Sequence, residues 1–307
     1  KIPMIYLLIN SVLPVAILVL LGFIATKRNT FTYDQSLALL KYVGVIAVPV
    51  LTFKMIVTVN LNDINWLLLF SYVSSEIFIY LFAGLIAKYI FKLEWTEAIL
   101  IAMAASFSNH ILFVYPIALT EYDNNLLTPI VSIISFDVIF LVFNIIILDL
   151  ITIKKITLKK IIVKQFNNYP LFALIIGMII VYFEIKLPLS INRSINFISL
   201  SAAPCALFAA GIILAHQIEK TQKNISNLII IFKILLHPLL AIFIIWTIHD
   251  ISFDISETTI MVASAPVGLM ALIFSTQYGV KPNAISRAIL ITTILSIITI
   301  PLSGSLS

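Results

Sequence analysis

Long apolar runs separated by short polar connections make up most of this chain. A run of about 20 apolar residues is long enough to cross the hydrocarbon core of a bilayer as a helix, and the chain contains ten such runs. The pattern therefore predicts an all-α integral membrane protein with ten transmembrane helices. The predicted spans cover Ile5–Ala25, Ser36–Val59, Asn65–Ile90, Thr96–Thr120, Leu126–Leu150, Tyr169–Lys186, Ile191–Gln217, Ser226–Ile248, Ser256–Tyr278 and Asn283–Leu302.

The fourth predicted span has polar residues and a proline in its middle. A helix in lipid must satisfy every backbone N–H and C=O group internally, so such a centre is costly unless it faces protein or water. The ninth span carries a comparable interruption, and interruptions at matching places in two halves indicate a transporter's binding site. We therefore expect two broken helices that line a solute site. The residues concerned are Ser106, Ser108, Asn109, His110 and Pro116 in the fourth span and Ser264, Pro266, Val267 and Gly268 in the ninth.

Matched residues about half a chain apart indicate an internal repeat. Coincidence among the 12 prolines of an apolar chain is the alternative. Because each half would hold an odd number of spans, the second half would enter the membrane from the opposite side, as in an inverted-topology repeat. The sequence thus predicts a first repeat over residues 1–150, a basic linker over 151–168 and a second repeat over 169–307. The pairs Ser108 and Ser264, His110 and Pro266, Pro14 and Pro170, and Tyr122 and Tyr278 are 156 positions apart, and Pro49 and Pro204 are 155 apart.

Composition and charge support a membrane protein and predict its orientation. Hydrophobic residues make up 61% of the chain and charged residues 11%, whereas soluble proteins carry roughly a quarter of charged residues. The net charge of +5 comes from lysines and arginines in short loops, so no nucleic-acid partner is expected. Loops on one side hold 13 of them and loops on the other side hold three. The first side is therefore expected to be cytoplasmic, with both termini outside.

Several segments resemble segments of a known transporter family. They are Ala203–Ala215, Ala265–Gly268, Gln277–Gly279 and Ala288–Leu302, together with Asn109 seven residues before Pro116. On these residues the chain resembles the auxin efflux carrier family, in its bacterial organic-anion permease branch, and is similar in fold to the bile-acid sodium symporters. The stretch His110–Phe113 differs from the small residues that the family usually has around this asparagine.

This resemblance implies a ten-span carrier of two inverted five-helix repeats in the bacterial inner membrane. Spans one, two, six and seven would form a scaffold that contains Pro49 and Pro204 and is often dimeric. The other six spans would form a transport domain that moves past the scaffold in an elevator mechanism. Spans four and nine would be broken and would cross at the substrate site. The expected substrate is a small organic anion such as malate, malonate or an auxin-like acid.

At such a crossing, half-helix N-termini present free N–H groups and the positive end of a dipole to an anion. Asn109 is the first candidate for substrate binding, and an interhelical hydrogen bond is its structural alternative. His110 is expected to hold a substrate carboxylate or to relay a proton. A structural hydrogen bond is the alternative for His110 as well.

Four of the ionisable residues inside other predicted spans are candidates: Glu76, Asp137, Lys233 and His237. An intramembrane charge costs at least about 2.5 kcal/mol on the insertion scale, so each is a candidate for a coupling proton or sodium ion. Lys233 would pair with Glu76 or with Asp137, and a buried structural ion pair is the alternative. No cofactor or metal is expected, because the single cysteine and the 4 histidines lack zinc-ligand spacing.

Three other functions compete with an organic-anion carrier. An intramembrane protease is disfavoured, because the Gly-x-Gly-Asp and Gly-x-Ser-Gly motifs are absent. Acidic residues beside the crossing would favour a sodium-coupled symporter of the bile-acid type, and the sequence has none there. A membrane solute sensor stays open, although it would normally carry an added soluble domain. The expected partners are the anion, membrane lipid and a second copy bound through the scaffold.

Overall fold

The computed structural model describes residues 4–58, 63–153, 168–216 and 222–305. The regular structure within these ranges is helical, which confirms the all-α prediction. Seven helices are long and apolar enough to cross a membrane, and three further apolar helices are shorter. Ten spans in an inverted repeat therefore stay a prediction. Most of the predicted basic linker, residues 154–167, lies outside the described residues.

Two of the predicted spans are each split into a pair of helices. The fourth is interrupted at residues 107–109 and the ninth at residues 264–269. In chain order the helices are α1 (Leu8–Lys27), α2 (Tyr33–Thr58), α3 (Trp66–Ile90), α4 (Trp95–Ser106), α5 (His110–Glu121), α6 (Asn125–Thr152), α7 (Tyr169–Tyr182), α8 (Leu189–His216), α9 (Lys223–Ile248), α10 (Phe253–Ala263), α11 (Met270–Gln277) and α12 (Asn283–Ser303).

Side-chain caps start three of these helices. Thr32 and Gln35 form a capping box before α2: the Gln35 N–H donates to Thr32 Oγ1 at 3.4 Å, and the Thr32 N–H donates to Gln35 Oε1 at 2.9 Å. Asn65 before α3 and Asn168 before α7 each accept a backbone N–H three residues further on. These bonds satisfy N–H groups that the start of a helix leaves without an intrahelical acceptor.

Four prolines follow a π-helical turn. A proline has no N–H, and its ring clashes with the carbonyl four residues earlier in an α-helix. A π turn is wider, because its hydrogen bonds join residues five apart, and the helix continues past the proline. Pro14, Pro49, Pro116 and Pro238 each come two residues after such a turn, and the turns cover Leu7–Val12, Val43–Ala47, His110–Val114 and Phe232–Leu236.

The helices group into two compact units, and α1 and α6 contribute to both. Unit 1 comprises Lys1–Ala16, Ile64–Ile133 and Gln217–Ser307, and it contains α3 to α5 and α9 to α12. Within unit 1, α4 packs against α3 and α11, and α9 packs against α3 and α12. All candidate residues of the two interruptions lie in this unit.

Unit 2 comprises Ile17–Asp63 and Ile134–His216. Helix α2 packs along α7 and α8. Gly22 of α1 and Gly211 of α8 mark a close helix crossing, because a Cβ at either glycine would overlap a backbone carbonyl of the facing helix. Small residues permit such close approach between membrane helices. Pro49 and Pro204 lie in this unit, on α2 and α8.

Candidate functional site

The two interruptions in unit 1 pair with each other through their backbones. Ser108 and Val267 form an isolated antiparallel β-bridge. The Asn109 N–H donates to Pro266 O at 2.8 Å, and the Gly268 N–H donates to Phe107 O at 3.0 Å. Backbone groups that leave a helix in the membrane must find partners within the protein. Each interruption supplies such partners to the other, so backbone groups that the two breaks release from their helices are satisfied.

Residue types explain why the pairing is so close. Pro266 has no N–H to lose, and its carbonyl is the acceptor for Asn109. A Cβ on Gly268 would lie 3.3 Å from Ser108 O and 3.4 Å from Phe107 O, which is tighter than side chains normally pack. The approach of the opposite strand, rather than the backbone angles of Gly268, therefore favours glycine at this position.

Helix α12 supplies two hydroxyl groups to the second interruption. Thr292 Oγ1 accepts from the Val267 N–H at 3.2 Å, and Thr299 Oγ1 donates to Ser264 O at 2.9 Å. Sequence reasoning missed both threonines as part of the site. Their spacing of seven residues puts them on one face of an apolar helix. That spacing is the sequence feature that could have identified them as part of the site.

Lys233 of α9 reaches the paired interruptions from the side. The side chain is fully buried. Its Nζ donates to Ser108 Oγ at 2.6 Å and to Ala263 O at 3.1 Å, and it lies 2.8 Å from His237 Nδ1. Lys233 and His237, which the sequence suggested as residues for a coupling ion, therefore lie beside the interrupted helices.

Ser108 lies at the centre of this cluster. Besides accepting from Lys233, its hydroxyl donates to Val262 O at 2.7 Å, and the hydroxyl of Tyr72 lies 3.4 Å away. The Tyr72 ring also packs against the His237 ring, with 5.4 Å between their centroids. One serine therefore connects both interruptions with α3 and α9.

The other predicted site residues differ in whether their polar side chains make hydrogen bonds within the protein. Asn109 is half-buried, and its amide makes no hydrogen bond to the described residues. His110 donates from Nδ1 to Ser108 O at 2.8 Å. Ser106 Oγ is buried without a hydrogen-bond partner in the described part of the chain. Ser264 Oγ donates within α10, to Ile260 O at 2.9 Å. Asn109 is thus the polar side chain most available to a solute.

The remaining candidates lie on α3, α5 and α6. Pro116 is half-buried in α5 and follows its π turn. Glu76 is fully buried on α3, in unit 1. Asp137 is buried on the part of α6 that belongs to unit 2. The described residues contain no group of three histidine, cysteine, aspartate or glutamate side chains that could hold a metal ion.

A second link within unit 1 joins the end of α5 to the start of α10. The Tyr122 hydroxyl donates to Glu257 Oε1 at 2.5 Å. Burial, together with this bond and the nearby carboxylates, raises the pKa of Tyr122 above its usual range. The phenol therefore stays protonated, and able to donate this bond, throughout the physiological pH range.

Comparison with known proteins gives matches over the whole chain. The profile of the family described as "Membrane transport protein" matches residues 7–153 and 152–303. The Escherichia coli (strain K12) protein named "Uncharacterized transporter YfdV" is 23% identical over 308 residues, which are 96% of each chain.

Two further relatives are matched over a smaller part of their length. A Rhizobium meliloti (strain 1021) protein named "Putative malonate transporter" is 32% identical over 124 residues, 40% of this chain and 39% of that protein. The mouse (Mus musculus) "Lysosomal cholesterol signaling protein" is 23% identical over 304 residues, 91% of this chain and 35% of that protein. The chain thus spans less than two fifths of either relative. With its helices, its paired interruptions and a family profile that covers nearly every residue, the chain belongs to the membrane transport protein family of the auxin efflux carrier type.

Proposed function

We propose that the chain is a secondary carrier for a small organic anion, a carboxylate such as malonate, malate or an auxin-like acid. The observation that carries the proposal is the half-buried Asn109 amide at the start of α5, directly beside the paired interruptions. The starts of α5 and α11 add N–H groups that lack intrahelical acceptors and the positive ends of two helix dipoles. These are the groups that bind a carboxylate without a full charge in lipid.

Family membership and one relative's name support this assignment. A transport family favours a carrier over an enzyme, and the bacterial relative carries malonate in its name. In the proposal, Asn109 and the backbone around Val267 bind the anion, with Ser106, Ser108, His110, Ser264, Pro266, Gly268 and Pro116 lining or shaping the site.

The proposed transport cycle assigns different roles to the two units. Unit 1, which contains the paired interruptions, carries the anion across the membrane in an elevator-type shift. Unit 2 is the scaffold and the surface for a homodimer. The lysine-rich loops face the cytoplasm of a bacterial cell, and both termini face outward. The coupling ion is a proton or sodium, with Glu76, Asp137, Lys233 and His237 as candidate residues.

The first test is uptake into proteoliposomes. We expect Asn109→Ala to abolish uptake of radiolabelled malonate, malate or indole-3-acetate, whichever the wild type transports, because the amide that binds the carboxylate is lost. The melting temperature in detergent should change little, because the amide has no structural hydrogen bond to lose. Asn125→Ala is the matched control, since Asn125 is exposed at the start of α6 in the same unit. Retained uptake by Asn109→Ala removes this residue from the site.

A solute sensor is the second candidate function, and the name of the mouse signalling relative favours it. A comparison of ligand-induced melting-temperature shifts with flux into proteoliposomes distinguishes binding from transport. A ligand of the folded protein raises its melting temperature, in a sensor as in a carrier. An acid that stabilises the purified chain but shows no flux into proteoliposomes would favour the sensor.

A further inference from the structure

The Nζ atom of Lys233 has three hydrogen-bond partners, and it donates to two of them, Ser108 Oγ and Ala263 O. Ser108 Oγ comes from the first interruption, Ala263 O from the last residue of α10, and His237 Nδ1 from one turn further along α9. The distances are 2.6, 3.1 and 2.8 Å, and the lysine is fully buried. We call these three partners the ammonium cage.

The hydrogen-bond directions require the lysine to donate. Ser108 uses its own proton on Val262 O at 2.7 Å, so it accepts from Lys233. Ala263 O is a carbonyl and also accepts. With two bonds directed in this way, a protonated Lys233 uses its third proton on an unprotonated His237 Nδ1. The charged form therefore satisfies all atoms of the cage at once.

The acceptors of the cage are of the kind that bind small cations. The last carbonyls of α10, at Val262 and Ala263, point at Lys233 and Ser108, and the C-terminal end of a helix carries a partial negative charge. In transporters with broken helices, unwound carbonyls and half-helix C-termini coordinate sodium ions or protons. Here the end of a lysine side chain lies at the C-terminus of a half-helix, α10.

The neighbouring titratable groups are compatible with a resident positive charge. Tyr72 of α3 contacts the cage through Ser108 and His237. Glu76 is buried one turn further along α3, on the face that Tyr72 presents. His110 of α5 uses Nδ1 on the Ser108 carbonyl. These contacts bring the hydroxyls of Ser108 and Tyr72 and the imidazole of His237 to the cage, and Glu76 follows Tyr72 on α3.

We propose that Lys233 is a tethered cation that replaces a coupling sodium ion at the paired interruptions. The protein then needs no sodium to hold α10 and the Ser108 segment together, and the fixed positive charge assists binding of an anion nearby. The transport part of this inference rests on the proposed function. The cage itself can be tested without transport.

The transport experiment uses the full chain in proteoliposomes with malonate, malate and indole-3-acetate as probes. We expect the initial uptake rate of the wild type to be the same with sodium or choline as the only external cation. Lys233→Met keeps the length of the side chain and removes its charge, and it should lower uptake at least about tenfold, which corresponds to about 1.4 kcal/mol. Lys41→Met, at an exposed lysine of α2, is the matched control and should transport like the wild type.

The stability experiment uses purified protein in detergent. We expect Lys233→Ala to lower the melting temperature, and methylammonium or sodium chloride to raise it again relative to choline chloride, because a small cation fills the vacated cage. The wild type and Lys41→Met should show no such cation effect.

The results separate this inference from the proposed function. Sodium-dependent uptake by the wild type, or wild-type uptake by Lys233→Met, would overturn the tethered cation. If the wild type transports none of the three acids, the proposed function fails, and the stability experiment still decides the cage. Absence of any stabilisation of Lys233→Ala by methylammonium and by sodium would then reject it.

Discussion

At the scale of single residues, Ser108 connects both interruptions with α9. Its hydroxyl accepts from Lys233 and donates to Val262 O, and its backbone pairs with Val267. A side chain of two heavy atoms thus bridges both interruptions and α9. Larger polar residues would not fit where its side chain is almost fully buried, and alanine would leave two polar groups without this partner.

We therefore predict that Ser108→Ala destabilises the protein by about 1–3 kcal/mol, since buried groups of Lys233 and Val262 lose a partner. The measurement is the melting temperature in detergent. Ser106→Ala is the matched control: this neighbouring serine is also buried, but its hydroxyl has no partner in the described structure, so its loss should cost little. Equal destabilisation by the two changes would contradict the role given to the Ser108 hydroxyl.

Sequence reasoning found Ser108 and Asn109 but did not connect them with Lys233. The polar cluster in the fourth span is visible because serine, asparagine and proline are costly in a lipid-spanning helix. Lys233 and His237 stood out as intramembrane ionisable groups. Their position 125 residues or more beyond Ser108 depends on how α9 packs within unit 1, and local composition carries no information about that packing.

At the scale of elements, the paired interruptions depend on a close backbone approach. The Gly268 N–H bonds to Phe107 O, while the space for a Cβ is limited by two carbonyl oxygens of the opposite strand. The sequence indicated the break through Ala263–Gly268 but not its antiparallel pairing, because a pairing register between distant segments leaves no periodic signal. The π turns before four prolines were equally invisible, since hydropathy does not change there.

This geometry predicts opposite effects of one change at two glycines. Gly268→Ala should lower the melting temperature, at a cost of about 1–3 kcal/mol for overpacking against backbone. Gly44→Ala should leave it unchanged or raise it, because a Cβ at Gly44 meets nothing within 4 Å and alanine is favoured over glycine inside a helix by about 0.5–1 kcal/mol. A Gly268→Ala protein as stable as the wild type would argue against close pairing.

At the scale of the whole molecule, unit 1 gathers segments from both halves of the chain. The predicted halves, 1–150 and 169–307, follow the order of the sequence, whereas packing joins residues 64–133 with 217–307. The family resemblance implied such a regrouping of spans. Periodicity alone could not predict this regrouping, because it identifies helices but not which helices pack against each other. The assignment of unit 1 to transport and unit 2 to the scaffold stays a prediction.

Orientation is the property of the whole molecule that charge predicts most directly. The uneven lysine and arginine content of the loops predicts that residues after α1 lie in the cytoplasm and residues after α5 lie outside. Arg28 follows α1 and Asp123 follows α5, and both side chains are exposed. The single cysteine, Cys205, can be replaced by serine to give a cysteine-free background.

In that background, we expect a membrane-impermeant maleimide added to intact bacteria to label Asp123→Cys and not Arg28→Cys. Both should label after the cells are opened, which controls for accessibility of the side chains. The physical reason is that positively charged loops are retained on the cytoplasmic side during insertion. Labelling of Arg28→Cys alone in intact cells would reverse the orientation. It would also place the 13 loop lysines and arginines outside the cell. That result would contradict the charge bias from which we inferred that both termini face outward.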